Sequence, residues 1–198
     1  TGAELEKSVR FKFTDSGVSP ISHPGMAGGN YLASGIEHSE RGAPTASGEM
    51  HARMNEKRIR KLDPLKHRRD LFLREGDPHA PLALVAWGSL AGTAREALEI
   101  ARREGIQGKL LVPKLLFPVA EEVYAEFFRN VQAGLVVEQS HQGQLYRILR
   151  MYVDVPAGVR PLARSGSNPI LPRTIVEELK QLGLALQSRR VADVEPAG

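Results

Sequence analysis

The sequence reads as an α/β protein with a mostly parallel sheet and helices on both of its faces. Three observations carry this. Leu82–Trp87 is a short, nearly continuous apolar run, which suits a strand buried on both sides. Gly88 and Ser89 break it, and Ala91–Glu104 then places Ala94, Ala97, Leu98 and Ala101 on one stripe of an amphipathic helix. Beyond Gly105, strand-like and helix-like segments keep alternating at the spacing of βαβ units.

In chain order, Arg10–Gly48 reads as an extended arm. Glycine, proline and serine recur throughout it, Gly-Val-Ser-Pro (17–20) and His-Pro-Gly (23–25) are turn signals, and Val9–Phe13 is its only strand-like run. Loops of this length lie across a partner or a site more often than inside a compact domain. Glu49–Arg69 reads as a basic helix, or as two split at Asp63-Pro64 with Asp63 as N-cap. Met50, Met54, Ile59 and Leu62 give it a thin apolar side.

After the central strand and helix, Lys109–Phe117 predicts a second strand and its exit, shortened by Pro113. Pro118 suits the start of a helix whose wide apolar face carries Val119, Val123, Phe127 and Val131 beside Ala120, Tyr124 and Phe128. Gly134–Glu138 predicts a third strand and His141–Val153 a helix striped with Leu145, Ile148, Leu149 and Tyr152. Val159–Arg164 and Arg173–Leu182 complete the series as strand and helix, and the polar stretch from Gln187 to Gly198 reads as a disordered tail. The expected division is an arm with a basic helix over 1–75, an α/β domain over 76–186 and the tail over 187–198.

Composition excludes several classes. With no cysteine, these residues hold no disulfide, thiolate zinc site or cysteine-bound iron–sulfur cluster. No apolar run reaches the roughly 20 residues that span a bilayer, and Thr1–Phe13 lacks the apolar centre of a secretory signal. A cytoplasmic setting is expected. The net charge of +4 is mild and concentrated in the basic helix. That helix suggests a nucleic-acid footprint or a clamp on an anion, but it has no aromatic residues for base stacking, which argues against nucleic acid. The first residue is Thr1 rather than methionine, as in a piece of a longer chain.

No complete catalytic constellation is present. Gly88-Ser-Leu-Ala-Gly-Thr93 is a glycine-bearing turn that feeds a helix, so Gly88, Ser89 and Gly92 form a candidate turn site for an anion. It departs from the Walker, GxGxxG and GxSxG patterns, and close helix–strand packing is the simpler role for it. The six histidines show no HxH or HxxxH spacing. Glu37-His38 with Glu40 could seed a metal site, against the simpler role of a hydrogen-bonded loop anchor. The polar segment Glu138–Gln144 lies just past a strand's carboxyl end, where open sheets bind ligands; Ser140 as a helix N-cap is the plainer reading.

Taken together, Gly17-Val-Ser-Pro20, His23-Pro-Gly25, Gly35-Ile-Glu-His-Ser-Glu40, Met54 with Lys57-Arg58, Trp87-Gly-Ser89 with Glu96-Ala97, Val136-Val-Glu138 and Gly143-Gln-Leu145 resemble one family. It is the C-terminal region of the α subunit of 2-oxoacid:ferredoxin oxidoreductases, especially the 2-oxoglutarate type, and the match covers roughly residues 10–175. His141-Gln142 departs from the asparagines that many relatives carry there, which leaves the substrate branch open.

The resemblance implies a three-layer α/β/α fold like the transketolase C-terminal domain, its five-stranded sheet mostly parallel with one antiparallel edge. For the full complex it implies thiamine diphosphate, Mg and an iron–sulfur cluster, oxidative decarboxylation of a 2-oxoacid to an acyl-CoA, and ferredoxin and CoA as partners. It also implies a thiamine-diphosphate-binding β subunit beside the remainder of the α subunit. The family's GDG…N and Tyr-Pro-x-Thr-Pro motifs do not occur in this sequence. No catalytic, cofactor-binding or metal residue is therefore carried over, and the fragment alone is expected to be inactive. Glu37, His38, Lys57 and Arg58 are the candidate docking motif, joining arm and basic helix to neighbouring domains by charge-assisted hydrogen bonds. The competing reading is a free-standing α/β binding module that takes an anionic ligand or nucleic acid on the basic helix.

Overall fold

The computed structural model describes residues 9–192, which form two compact units meeting in sequence between Leu65 and Lys66. In the first, the arm has no regular strand; Val9–Phe13 is turn and coil, and His38 and Pro44 form an isolated bridge. The helix α1 (Gly48–Arg60) begins at Ser47, whose hydroxyl accepts from Met50 N at 3.3 Å. Glu49 in its first turn and Lys57, Arg58 and Arg60 in its last match the helix dipole. Only Met54 and Lys57 on this helix are buried, and Ile59, expected on the apolar side, is exposed. A single turn of 3₁₀ helix, Asp63–His67, stands where the sequence suggested a second helix. Asp63 lies inside that turn rather than capping it.

The second unit is a five-stranded sheet in the order β1-β3-β2-β4-β5, with strands β1 (Phe72–Gly76), β2 (Leu82–Ala86), β3 (Gly108–Pro113), β4 (Ala133–Glu138) and β5 (Gly158–Ala163). β2, β3, β4 and β5 run parallel, and β1 pairs antiparallel with β3 at one edge. The helices are α2 (Leu90–Arg103), α3 (Glu121–Phe128), α4 (Gln144–Tyr152) and α5 (Pro172–Ala192). Leu82, Leu84 and Ala86 of β2 face Ala94, Ala97 and Ala101 of α2 and Ile175, Val176 and Leu179 of α5. Ala83 and Val85 face the opposite layer, with Val123, Tyr124 and Phe127 of α3 and Leu145 and Leu149 of α4. The period-2 alternation of one apolar strand therefore feeds two cores, and the three-layer α/β/α architecture follows.

Several boundaries differ from those expected. β1 joins the sheet before residue 76 by pairing with β3, and most of its residues are exposed at the edge, which leaves no apolar run to read. Pro118 precedes α3 by three residues and follows a cis peptide bond from Phe117. The helix expected from His141 starts at Gln144, since Gly143 takes a φ of +69° that no helix interior allows. The last helix runs on to Ala192, so the tail expected from residue 187 is helical over its first residues. Residues 193–198 of that tail lie outside the described residues.

Candidate functional site

The order of the strands places a topological switch between β2 and β4. The chain leaves β2 through α2 towards β3 on one side, and β4 lies on the other. Open α/β sheets hold ligands at the carboxyl ends of strands beside such a point. Two segments meet this description, Trp87–Ser89 after β2 and Gln139–Gln142 after β4.

Gly88 has a φ of +59°, the left-handed turn that ends the strand, and Ser89 precedes α2 without a side-chain cap bond. A Cβ on Gly92 would meet nothing within 4 Å. The close helix–strand packing expected of this turn is thus not what its second glycine provides.

After β4 the polar groups are occupied by the fold itself. Glu138 is fully buried, and its carboxylate accepts from Leu145 N at 3.0 Å and Tyr146 N at 3.1 Å. It neutralises two of the free N–H groups at the start of α4 and sits at the positive end of the helix dipole. Ser140, expected as the cap, accepts from Gly143 N at 3.1 Å and from Gln144 N at 3.4 Å, so it shares the helix start with Glu138. A Cβ on Gly143 would lie 2.8 Å from Pro161 Cβ, so glycine is needed here for space as well as for φ. Gln139 Nε2 donates to the carbonyls of Gly166 and Asn168, and His141 Nδ1 lies 2.9 Å from Ser165 Oγ.

In the first unit, the four docking candidates lie close together. Arg58 grips Glu37 in a two-pronged pair, Nη2 to Oε1 at 2.8 Å and Nη1 to Oε2 at 3.1 Å. His51 Nδ1 donates to the same carboxylate at 2.6 Å. Arg58, more than the neighbouring backbone N–H and His51, holds the Glu37 carboxyl well down, at about 2. His38 Nδ1 donates to Ser39 O at 3.0 Å while its ring packs 4.0 Å from that of Phe11. Lys57 Nζ is drawn inward to Phe11 O at 2.7 Å, and burial together with Lys61 and Arg10 lowers its pKa. Glu40 accepts from Phe13 N at 2.8 Å.

Glu37, His38 and Glu40 are therefore loop anchors. Among the described residues no group of three His, Asp or Glu side chains could hold a metal. The basic helix likewise spends its cations inside the unit, with Arg53 over the Phe13 ring at 4.3 Å and Arg60 donating to Thr14 O. In the second unit Arg68 pairs with Asp70, and Arg69 and Arg74 with Glu126. This leaves little of a phosphate-tracking stripe. Sequence reading missed the buried charges: Lys109, which donates to Pro78 O at 3.0 Å, and the capping role of Glu138.

A sheet of this order, with one antiparallel edge and a buried carboxylate capping the helix at its switch point, defines a three-layer α/β domain. Residues 80–175, just under half of the chain, match the family model described as pyruvate:ferredoxin oxidoreductase core domain II. The chain is similar to 2-oxoacid:ferredoxin oxidoreductase 2, subunit alpha, of Aeropyrum pernix, with 32% identity over 74% of this chain and 23% of the relative. It is also similar to ketoisovalerate oxidoreductase subunit VorB of Methanothermobacter thermautotrophicus, with 33% identity over 52% of this chain and 29% of the relative. Among solved structures it resembles 2-oxoglutarate:ferredoxin oxidoreductase from Magnetococcus marinus, which has 2-oxoglutarate, coenzyme A and succinyl-CoA bound. That likeness has 31% identity and a TM-score of 0.74, covering 88% of this chain and 30% of that one. The chain thus spans about a quarter of the length of the relatives it matches.

Proposed function

We propose that this chain is the non-catalytic C-terminal region of a 2-oxoacid:ferredoxin oxidoreductase α subunit, acting in the cytoplasm within a larger assembly. The intact enzyme decarboxylates a 2-oxoacid on thiamine diphosphate, sends electrons through an iron–sulfur cluster to ferredoxin and forms an acyl-CoA. The observation that carries the reading is the extent of the likeness to the Magnetococcus marinus enzyme, 88% of the chain at a TM-score of 0.74. That share is larger than the sheet unit alone.

The residues present do not fit the cofactors. There is no cysteine for a cluster, and among the described residues no group of three His, Asp or Glu side chains could hold a metal ion. No chemical step is therefore assigned to this chain. Its part is to present a rigid sheet, with an arm pinned by Glu37–Arg58 and Lys57–Phe11, to the cofactor-bearing domains and a β subunit. The 2-oxoglutarate branch is supported by that same likeness, while the resemblance to the ketoisovalerate subunit keeps a branched 2-oxoacid as the competing substrate.

The test is reconstitution. The α subunit containing this region, co-expressed with its β subunit, should reduce ferredoxin on addition of 2-oxoglutarate and CoA, and the isolated chain should not. Lys57→Ala with Arg58→Ala should lower both the yield of complex and turnover. Unchanged assembly and turnover in that double variant would refute the docking role, and decarboxylation by the isolated chain would refute the whole reading.

A further inference from the structure

The first unit carries an open cavity of about 350 Å³ lined by several cations. Arg10, Lys57 and Lys61 bring cations to its wall, and no aspartate or glutamate lines it among the described residues. Arg58 also reaches it, but Glu37 already neutralises that guanidinium. Among the described residues Glu40 acts on Lys57 in the opposite sense to these cations and offsets one of the three remaining charges, so about two positive charges are left over among them. Two details show that this excess is held in place. Lys57 is only 7% exposed although Lys61, Arg10 and Arg58 all disfavour its charge. Arg10 donates through Nη1 to Pro20 O at 3.3 Å, but its Nε is buried with no hydrogen-bond partner among the described residues. A buried donor of this kind is costly unless something accepts from it.

The rest of the wall is mixed: Phe11, Val18, Ile21 and Met54 are apolar, while Ser19 and His38 are polar. The volume falls within the range of small-molecule sites, which pair apolar walls with a few polar groups. We propose that this cavity is a binding site for a phosphate monoester carrying a short apolar group. A monoester phosphate holds about two negative charges near pH 7 and several strong acceptor oxygens, which matches the charge left over. A monocarboxylate would leave one cation unpaired, and a bare inorganic anion would leave Ile21 and Met54 bare. The site belongs to the first unit alone and does not depend on the function proposed above.

The test uses the full 198-residue chain and n-butyl phosphate, followed by calorimetry and by amide shifts of residues 10–21 and 54–61. Butyl phosphate should saturate with shifts confined to those residues, and inorganic phosphate should bind about tenfold more weakly. Lys61→Gln and Arg10→Gln should each weaken butyl phosphate by about tenfold or more, as expected for loss of one charged hydrogen bond. Lys61→Arg should restore binding. Lys61 is exposed, and its replacement leaves the Lys57–Phe11 bond in place. The proposal is overturned if butyl phosphate acts no differently from sodium chloride of equal ionic strength. It is equally overturned if Lys61→Gln and Arg10→Gln bind as the parent does.

Discussion

Replacing Glu138 by glutamine removes one charge from a fully buried site and changes little in volume. In the parent, the carboxylate accepts two backbone N–H groups, from Leu145 and Tyr146, at 3.0 and 3.1 Å. Hydrogen bonds to a charged group contribute about 1.5–3 kcal/mol each, and a carboxylate at a helix N-terminus adds about 0.3–1 kcal/mol. Glutamine can accept one N–H through its carbonyl, but its NH₂ must face the other, so one donor is left buried and unpaired. The expected loss is about 2–4 kcal/mol, a large part of the roughly 5–15 kcal/mol that stabilises a domain. Urea unfolding followed by helical circular dichroism measures the total, and hydrogen exchange at Leu145 and Tyr146 assigns it to the start of α4. A loss below about 1 kcal/mol, or unchanged protection of those two amides, would refute the capping role.

Three further outcomes are expected. Leu84→Ala, at a position 1% exposed in the central strand, should cost about 2–5 kcal/mol in the same urea assay. Gly17→Ala should free the arm from α1, because Gly17 has a φ of +76° and its Cβ would lie 2.7 Å from Lys57 O and 2.8 Å from Lys61 N. Protease cleavage within residues 10–48 should then quicken by about tenfold while the sheet unit keeps its unfolding midpoint. The Glu37–Arg58 pair should survive acidification well below the usual carboxylate range. Because the folded pKa is depressed to about 2 from 4.5, its contribution is complete above about pH 4.5 and disappears as pH falls through about 2. Carboxyl-carbon NMR of Glu37 reads this directly, and a midpoint near 4.5 would show the pair to be loose.

The sheet unit was legible where burial is two-sided. β2, β3 and β4 are buried along their whole length and read as apolar runs, and the stripe of α2 matched its buried residues. β1 escaped because an edge strand with Arg74 and Glu75 has no such run. Its pairing is set by β3, from Phe72 opposite Pro113 to Gly76 opposite Lys109, and no local pattern announces a partner 33 to 41 residues away. The start of α4 was misplaced for a similar reason. Ser140 is an ordinary cap residue close to an apolar stripe, whereas Glu138, which shares the helix start with it, belongs to the preceding strand and reaches forward seven residues. Its signal was present in the sequence as a carboxylate closing the apolar run of β4, a position where a charge must find donors or be expelled.

The arm is a different case, because its sequence showed which residues matter without showing what they satisfy. Lysine and arginine crowded on one short helix read as a surface for an external anion. In the structure most of them answer internal demands: Arg58 meets Glu37, Arg60 meets Thr14 O, Arg53 covers Phe13, and Lys57 holds Phe11 O. A chain with no regular strand over residues 10–47 must find partners for its carbonyls, and the long cationic side chains of α1 supply them. The cations that line the cavity besides the paired Arg58 are Arg10, Lys57 and Lys61, of which Lys57 also holds Phe11 O. A helix serving only to organise the arm could have met the same carbonyls with neutral donors. In the proposal above, an anion seated among Arg10, Lys57 and Lys61 would take up the charge that the arm's own carbonyls leave over.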